Sequence, residues 1–215
     1  MFRLFIWDLD NTLVGTSPLL WGAFSWVAEK YTGRKMTPAE IVSLYGPPED
    51  EVIEKIVGQD QKDDALREFY AFYESKHQEL VTVFTPVFEA IAFLRQRGVK
   101  QALFTSKGRK SATMTVEKLN IHGLFDCILC GDEVERAKPY PDGVLKILSS
   151  FHIEPSHALY VGDSPLDAQA AQGAGVPFAL VLWDSFHREK AQEIKAQWLF
   201  RQPEEFLQWV REMYR

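Results

Sequence analysis

The 215-residue chain reads as an α/β protein: a parallel sheet core flanked by helices and interrupted by one all-helical insert. Three observations predict this. Short, near-continuous apolar runs alternate with helical patterns, as in sheets covered on both faces. That alternation implies parallel strands joined by right-handed crossovers. One interval, residues 14–84, has helical periods and no convincing strand.

The first strand is expected over residues 2–9 (FRLFIWDL). Helical periods then fit residues 19–30, 38–45, 49–57 and 63–79. A crossover needs only a dozen or more residues, so residues 15–83 read as a separate helical cap. Residues 1–14 and 84–215 form a discontinuous, Rossmann-like core. The cap is expected over the C-terminal ends of the strands, where open α/β sheets bind ligands. Residues 85–98 form the best-punctuated helix, with Thr85 as N-cap, Pro86 in the first turn and Gly98 beyond the last. Its apolar Val87, Ile91 and Leu94 share a face. Strands at 100–105, 127–130, 158–161, 178–182 and, at an edge, 198–200 alternate with helices at 110–119, 143–150, 166–174 and 203–213. Gly173-Ala174-Gly175 follows a helix and lacks the third glycine of a dinucleotide fingerprint, so it reads as a helix stop.

Composition narrows the function classes. Apolar residues make up 46% and charged residues 25%, as in ordinary globular chains. Thirty acidic against 24 basic side chains, net charge -6, argue against a nucleic-acid partner. The apolar run at residues 4–7 stops at Asp8, short of a signal peptide. Residues 176–183 are too few to span a bilayer, which takes about 20 apolar residues. A cytoplasmic protein with no membrane partner is expected, and nothing in the sequence specifies an oligomeric state. Cys127 and Cys130 fall in a strand, facing opposite sides, and read as buried core thiols. His77, His122, His152, His157 and His187 lack metal-ligand spacing and read as surface residues. Trp21 and Trp26 fall in the insert, where they pack its core or line an entrance.

The chemistry begins where the first strand ends, at Asp8-Leu9-Asp10-Asn11-Thr12. Residues two apart on a strand share a face, so two carboxylates converge beyond the sheet edge. Like charges held together call for a cation or a shared proton. The segment alone reads equally well as a solvated turn capping a helix. Other segments break the tie. Thr105-Ser106-Lys107 ends the second strand with hydroxyls and a helix start, which suit a phosphate oxygen. Lys138 precedes Pro139, which restricts its backbone to extended geometry, and a point-like cation suits a carboxylate cluster. Gly162-Asp163 ends the fourth core strand, with Asp167 one helical turn on. A hard cation, magnesium foremost, would draw such carboxylates together.

These four segments, in this order, resemble the haloacid-dehalogenase-like superfamily. The resemblance implies that Asp8 is the nucleophile that takes the phosphoryl group and that Asp10 is the general acid and base. It implies magnesium held by the Asp8 carboxylate, the Asp10 backbone carbonyl and Asp163. Lys138, Thr105 and Ser106 would bind phosphate, Thr12 would orient Asp10, and Asp167 would support the metal site. The dehalogenases lack an acid at the position of Asp10, so dehalogenation is not expected. Asn11 stands where many relatives have glycine and tolerates left-handed geometry. The helical insert resembles the cap of the phosphoglycolate phosphatase-like branch, and Thr105-Ser106-Lys107 is similar to the Thr-Asn-Lys seen there. Gly46-Pro47-Pro48 resembles a substrate loop of that cap and reads equally as a plain interhelix turn, which leaves Gly46, Pro47 and Lys107 as substrate-loop candidates. The implied substrate is a small phosphorylated metabolite: phosphoglycolate, a sugar phosphate or a nucleotide monophosphate. A β-phosphoglucomutase-like activity is the rival, but Arg67 is the only arginine between Arg34 and Arg95, short of that branch's arginine-rich cap. A non-catalytic binding protein on the same scaffold is the other rival.

Overall fold

The computed structural model describes residues 1–186 and 188–215. In chain order, β1 (Leu4–Trp7) leads to β2 (Val14–Gly15), α1 (Ser17–Thr32), α2 (Pro38–Val42), α3 (Glu49–Val57), α4 (Lys62–Leu80) and β3 (Thr82–Val83). The rest alternates: α5 (Thr85–Gln96), β4 (Lys100–Phe104), α6 (Arg109–Lys118), β5 (Cys127–Leu129), α7 (Asp142–Phe151), β6 (Ala158–Gly162) and α8 (Pro165–Gly173). Two further strands, β7 (Phe178–Val181) and β8 (Trp198–Phe200), precede α9 (Pro203–Met213). Among the described residues no helix is long and apolar enough to cross a membrane.

Six strands form one parallel sheet in the order β5-β4-β1-β6-β7-β8. Alternation of side chains divides each strand between two cores. Phe5 and Trp7 face one side, with Val87, Ile91 and Leu94 of α5 and Phe206 and Val210 of α9. Leu4 and Ile6 face the other, with Val144, Ile147 and Leu148 of α7 and Ala170 and Ala171 of α8. Fully burying a side chain of this kind contributes about 1.5–3 kcal/mol. The indole N–H of Trp7 donates to Gln101 Oε1 at 2.8 Å, so its polar edge is satisfied inside the core.

The helical insert has its own apolar cluster, built on Leu19, Phe24 and Val27 of α1, Ile53 of α3, and Phe69 and Tyr73 of α4. Two short strands occur where none is expected from sequence: β2 and β3 pair antiparallel and bring the two ends of the insert side by side. Two residues each are too few to show a periodicity. Thr85 also departs from expectation. It is the first residue of α5, Phe84 holds the cap position, and no side chain caps the helix. Gly98 follows with φ +75, and Gly175 with φ +70 ends the α8 turn, both as expected.

The histidine reading fails at His77, which is 1% exposed; its ring meets Thr115 Oγ1 of α6 at 3.3 Å. His187 lies outside the described residues. Cys130 is buried, but Cys127 is only half-buried. Burial pushes the Cys130 thiol up to about 12, so it is inert at neutral pH. Trp21 is half-buried, its ring 5.4 Å from that of Phe186, while Trp26 is largely exposed.

Candidate active site

The chain runs from β1 to β4 and β5 on one side, then returns to β6, β7 and β8 on the other. Strand order therefore reverses at β1, and a crevice opens at the C-terminal ends of the strands there. Asp8 is the first residue past β1, and its N–H donates to Val161 O at 2.9 Å. Because β1 ends at Trp7, the pleat of the strand does not align Asp8 with Asp10, contrary to the sequence reading. A tight turn sets Asp10 instead. Asn11 takes φ 61, and its N–H donates to Val14 O at 2.7 Å.

Carboxylate oxygens of Asp8, Asp163 and Asp167 lie within 4.8 Å of one another. Lys138 Nζ stands 2.6 Å from Asp8 Oδ1 and 2.7 Å from Asp167 Oδ1. All four side chains are buried. Three carboxylates thus face one ammonium. Burial pushes the Asp8 carboxyl up to about 7 against the pull of Lys138, and Asp167 and Asp10 add to the rise. Burial, then Asp167 and Asp8, push Asp163 well above the usual range. For Lys138, the neighbouring Asp167 and Asp8 outweigh burial and keep it charged. An all-oxygen, excess-negative cluster suits a hard divalent cation.

Asp167 is held from every side. Its Oδ1 accepts from Lys138 and from Tyr160 OH at 3.0 Å, and its Oδ2 accepts from Ser164 N at 3.1 Å and Ser164 Oγ at 2.6 Å. With both oxygens engaged, it positions Lys138 rather than offering a free lone pair. A Cβ on Gly162 would stand 2.6 Å from Asp167 Cγ, so only glycine lets the carboxylate pack against the strand end. Ser164 and Asp167 form a capping box on α8, and the Ser-x-x-Asp spacing in the sequence is the signal that could have found Ser164.

Asp10 is half-buried and accepts a hydrogen bond from Thr16 Oγ1. Thr16, not Thr12, contacts it: the Thr12 hydroxyl is buried without a hydrogen-bond partner among the described residues, and its backbone carbonyl accepts from the Trp183 indole at 3.1 Å. Lys107 Nζ lies 3.4 Å from Asp10 Oδ1 and 3.7 Å from Glu49 Oε1.

Asp8, Asp10, Ser106, Lys107, Lys138, Asp163 and Asp167 border one cavity of about 310 Å³. Gly46 and Pro47 of the insert border it too, and Gly46 adopts φ 132. Thr105 does not border it. Thr105 is buried at the end of β4, with its hydroxyl oxygen accepting from Lys107 N at 3.2 Å. The start of α6 is not open to an anion, contrary to the sequence reading. Glu49 Oε2 takes the Gly108 N–H at 2.7 Å, and Asp132 takes that of Arg109. Sequence reasoning missed Thr16, Tyr45, Glu49, Tyr160 and Ser164. Thr16 and Tyr160 lie six and seven residues from Asp10 and Asp167 and reach them through local turns, whereas Tyr45 and Glu49 are brought to the site by packing of the insert on the core.

A family model described as haloacid dehalogenase-like hydrolase matches residues 5–181. The chain belongs to that family. A pyrophosphatase PpaX from Anoxybacillus flavithermus is 29% identical to this hydrolase over 184 residues, 86% of this chain and 85% of that one. A predicted phosphoglycolate phosphatase from Haemophilus somnus shares the fold with a TM-score of 0.86 at 21% identity, over 97% of this chain and 98% of that one. A Thermotoga maritima protein described provisionally as a β-phosphoglucomutase has a TM-score of 0.78 at 27% identity, over 98% of this chain and 99% of that one.

Proposed function

We propose that this hydrolase is a magnesium-dependent phosphatase of small phosphomonoesters that works through an aspartyl-phosphate on Asp8. One observation carries the reading: Asp8 lies buried at the wall of a cavity, gripped by Lys138 and beside Asp163, with a second carboxylate, Asp10, on the same cavity. Asp8 and Asp163, with the Asp10 backbone carbonyl, would hold the cation, which when bound neutralises charge on the phosphoryl oxygens.

The chain's own groups do the rest. Asp8 forms a bond to phosphorus while the bond to the leaving oxygen breaks, and Asp10 gives that oxygen its proton. Asp10 then takes a proton from water as the water attacks phosphorus. Phosphate leaves and Asp8 is restored. Lys138, fixed by Asp167, offsets the negative charge spread over the phosphoryl group. The Ser106 hydroxyl and backbone N–H groups near Leu9, Asp10 and Ser106 complete the phosphate cradle, with Thr105 holding the turn beneath it through the Lys107 N–H and Thr12 supporting the loop between Asp10 and β2. The helical insert acts as a cap whose Gly46-Pro47 loop closes on the substrate and excludes water.

Hydrolysis fits this cavity better than phosphosugar isomerisation. No arginine borders it among the described residues, and Arg67 pairs with Asp64 on the surface. The test is phosphate release from a panel of phosphomonoesters with magnesium present. Stoichiometric inorganic phosphate is expected, silenced by EDTA and restored by magnesium. Asp10→Ala should lower turnover by roughly 10²–10⁴-fold. Isomerised product without phosphate, or an Asp10→Ala variant near full activity, would overturn the reading.

A further inference from the structure

Resting on the phosphatase reading, we propose that the insert-facing half of the cavity takes an uncharged leaving group with an apolar body, and that Glu49 makes it reject a second anion. That half is lined by Leu20, Phe24, Val42, Tyr45 and Val52 of the insert and by Phe186. These are carbon surfaces, and a charged group set against them loses water without a partner.

Two lysines border the cavity among the described residues. Lys138 is committed to Asp8 and Asp167. Lys107 stands between Asp10 and Glu49, so two carboxylates flank its single charge. Glu49 is 4% exposed and cannot swing away freely. Its two oxygens accept from the Gly108 N–H and from the Ser111 hydroxyl. A carboxylate or second phosphate on the leaving group would find no free cation here, because Glu49 neutralises Lys107 even when Asp10 carries the proton it gives to the leaving oxygen. An uncharged leaving group needs no such partner and buries its carbon surface. The Tyr45 hydroxyl lies beside the Trp21 indole, which is only a donor, so its own hydrogen has no acceptor among the described residues. It offers a neutral donor to an ether, hydroxyl or carbonyl oxygen. The cavity of about 310 Å³ must also hold the phosphate, which limits the leaving group to a short chain or a single ring.

Matched substrates test this through kcat/KM for phosphate release by the full chain with magnesium. The pairs are phenyl phosphate against 4-carboxyphenyl phosphate and propyl phosphate against phosphoglycolate, with pyrophosphate as a further anionic member. The neutral member of each pair should be preferred by about tenfold or more, because burying a charge without a partner costs at least that much. Glu49→Gln should narrow the ratio by lowering KM for the anionic members. Equal or better use of phosphoglycolate or pyrophosphate would overturn this inference and leave the phosphatase standing. Release from none of the substrates would remove the phosphatase reading and this inference with it. A ratio that holds in the wild type but is unmoved in a folded Glu49→Gln would remove Glu49 as its cause. Should that variant fail to fold, the wild-type ratio decides.

Discussion

Asp167 shows how much one side chain depends on its neighbours. Its carboxylate collects hydrogen bonds from Lys138, Tyr160 and Ser164, and the bare backbone of Gly162 leaves room for it. Gly162→Ala should push the carboxylate off the strand end and release Lys138. Turnover should fall about 10–100-fold, as for other residues that position a metal site, while overpacking costs about 1–3 kcal/mol of stability. Steady-state kinetics beside a thermal melt check this, and turnover within twofold of wild type would show that the position of Asp167 is not critical. Residues named from sequence fare unevenly at this scale. Asp8, Lys138, Asp163 and Asp167 gather because Asp8 and Asp163 directly follow strands of one parallel sheet, while Lys138 lies on the loop after β5 and Asp167 in the first turn of α8. Thr12 does not reach Asp10, since the turn at Asn11 turns its hydroxyl away and Thr16 supplies the contact. Thr16 meets Asp10 across a six-residue turn that shows no periodicity, and Glu49 meets its partners only through tertiary packing.

Among the elements, α4 joins the insert to the core. Tyr73 OH meets Thr115 Oγ1 of α6 at 2.7 Å, and the His77 ring meets the same oxygen. Burial, then the charges of Lys118 and Lys107, lower His77 from 6.5 to about 4. A base whose folded pKa is depressed binds its proton more readily when unfolded. Stability is therefore full above about 6.5 and is lost as pH falls toward 4. At about pH 5 the loss should be on the order of 2 kcal/mol, and His77→Asn should flatten that slope in urea melts. An unchanged slope would place the acid sensitivity elsewhere. Apart from α2, which ends at Val42 where the pattern ran to residue 45, the elements themselves were legible to within a residue or two, because long helices and buried strands carry strong periodicity. β2 and β3 were not, because two residues show no period and their pairing is set by the insert's ends meeting.

At the scale of the molecule, three buried carboxylates against one lysine trade stability for chemistry. Asp8→Asn should abolish turnover and, without divalent ions, melt no lower than the wild type, since it removes one uncompensated buried charge. Magnesium at about a hundred times its dissociation constant should stabilise the native chain by about 2.7 kcal/mol, seen as a rise in Tm that Asp163→Asn removes. No magnesium-dependent rise in the wild type would separate this cluster from any cation role. The sequence by itself determined the strand and helix succession, the helical insert and the set of acids and the lysine that follow strand ends. Those features are local: periodicity, punctuation and position at the end of an apolar run. Only the tertiary structure decided that the α6 N-terminus is taken by Glu49 and Asp132, and that Lys107 is flanked by two carboxylates. Those depend on how the insert seats on the core and how the strand-end loops of the core meet, and contacts between surfaces distant in the chain leave no periodic trace in it.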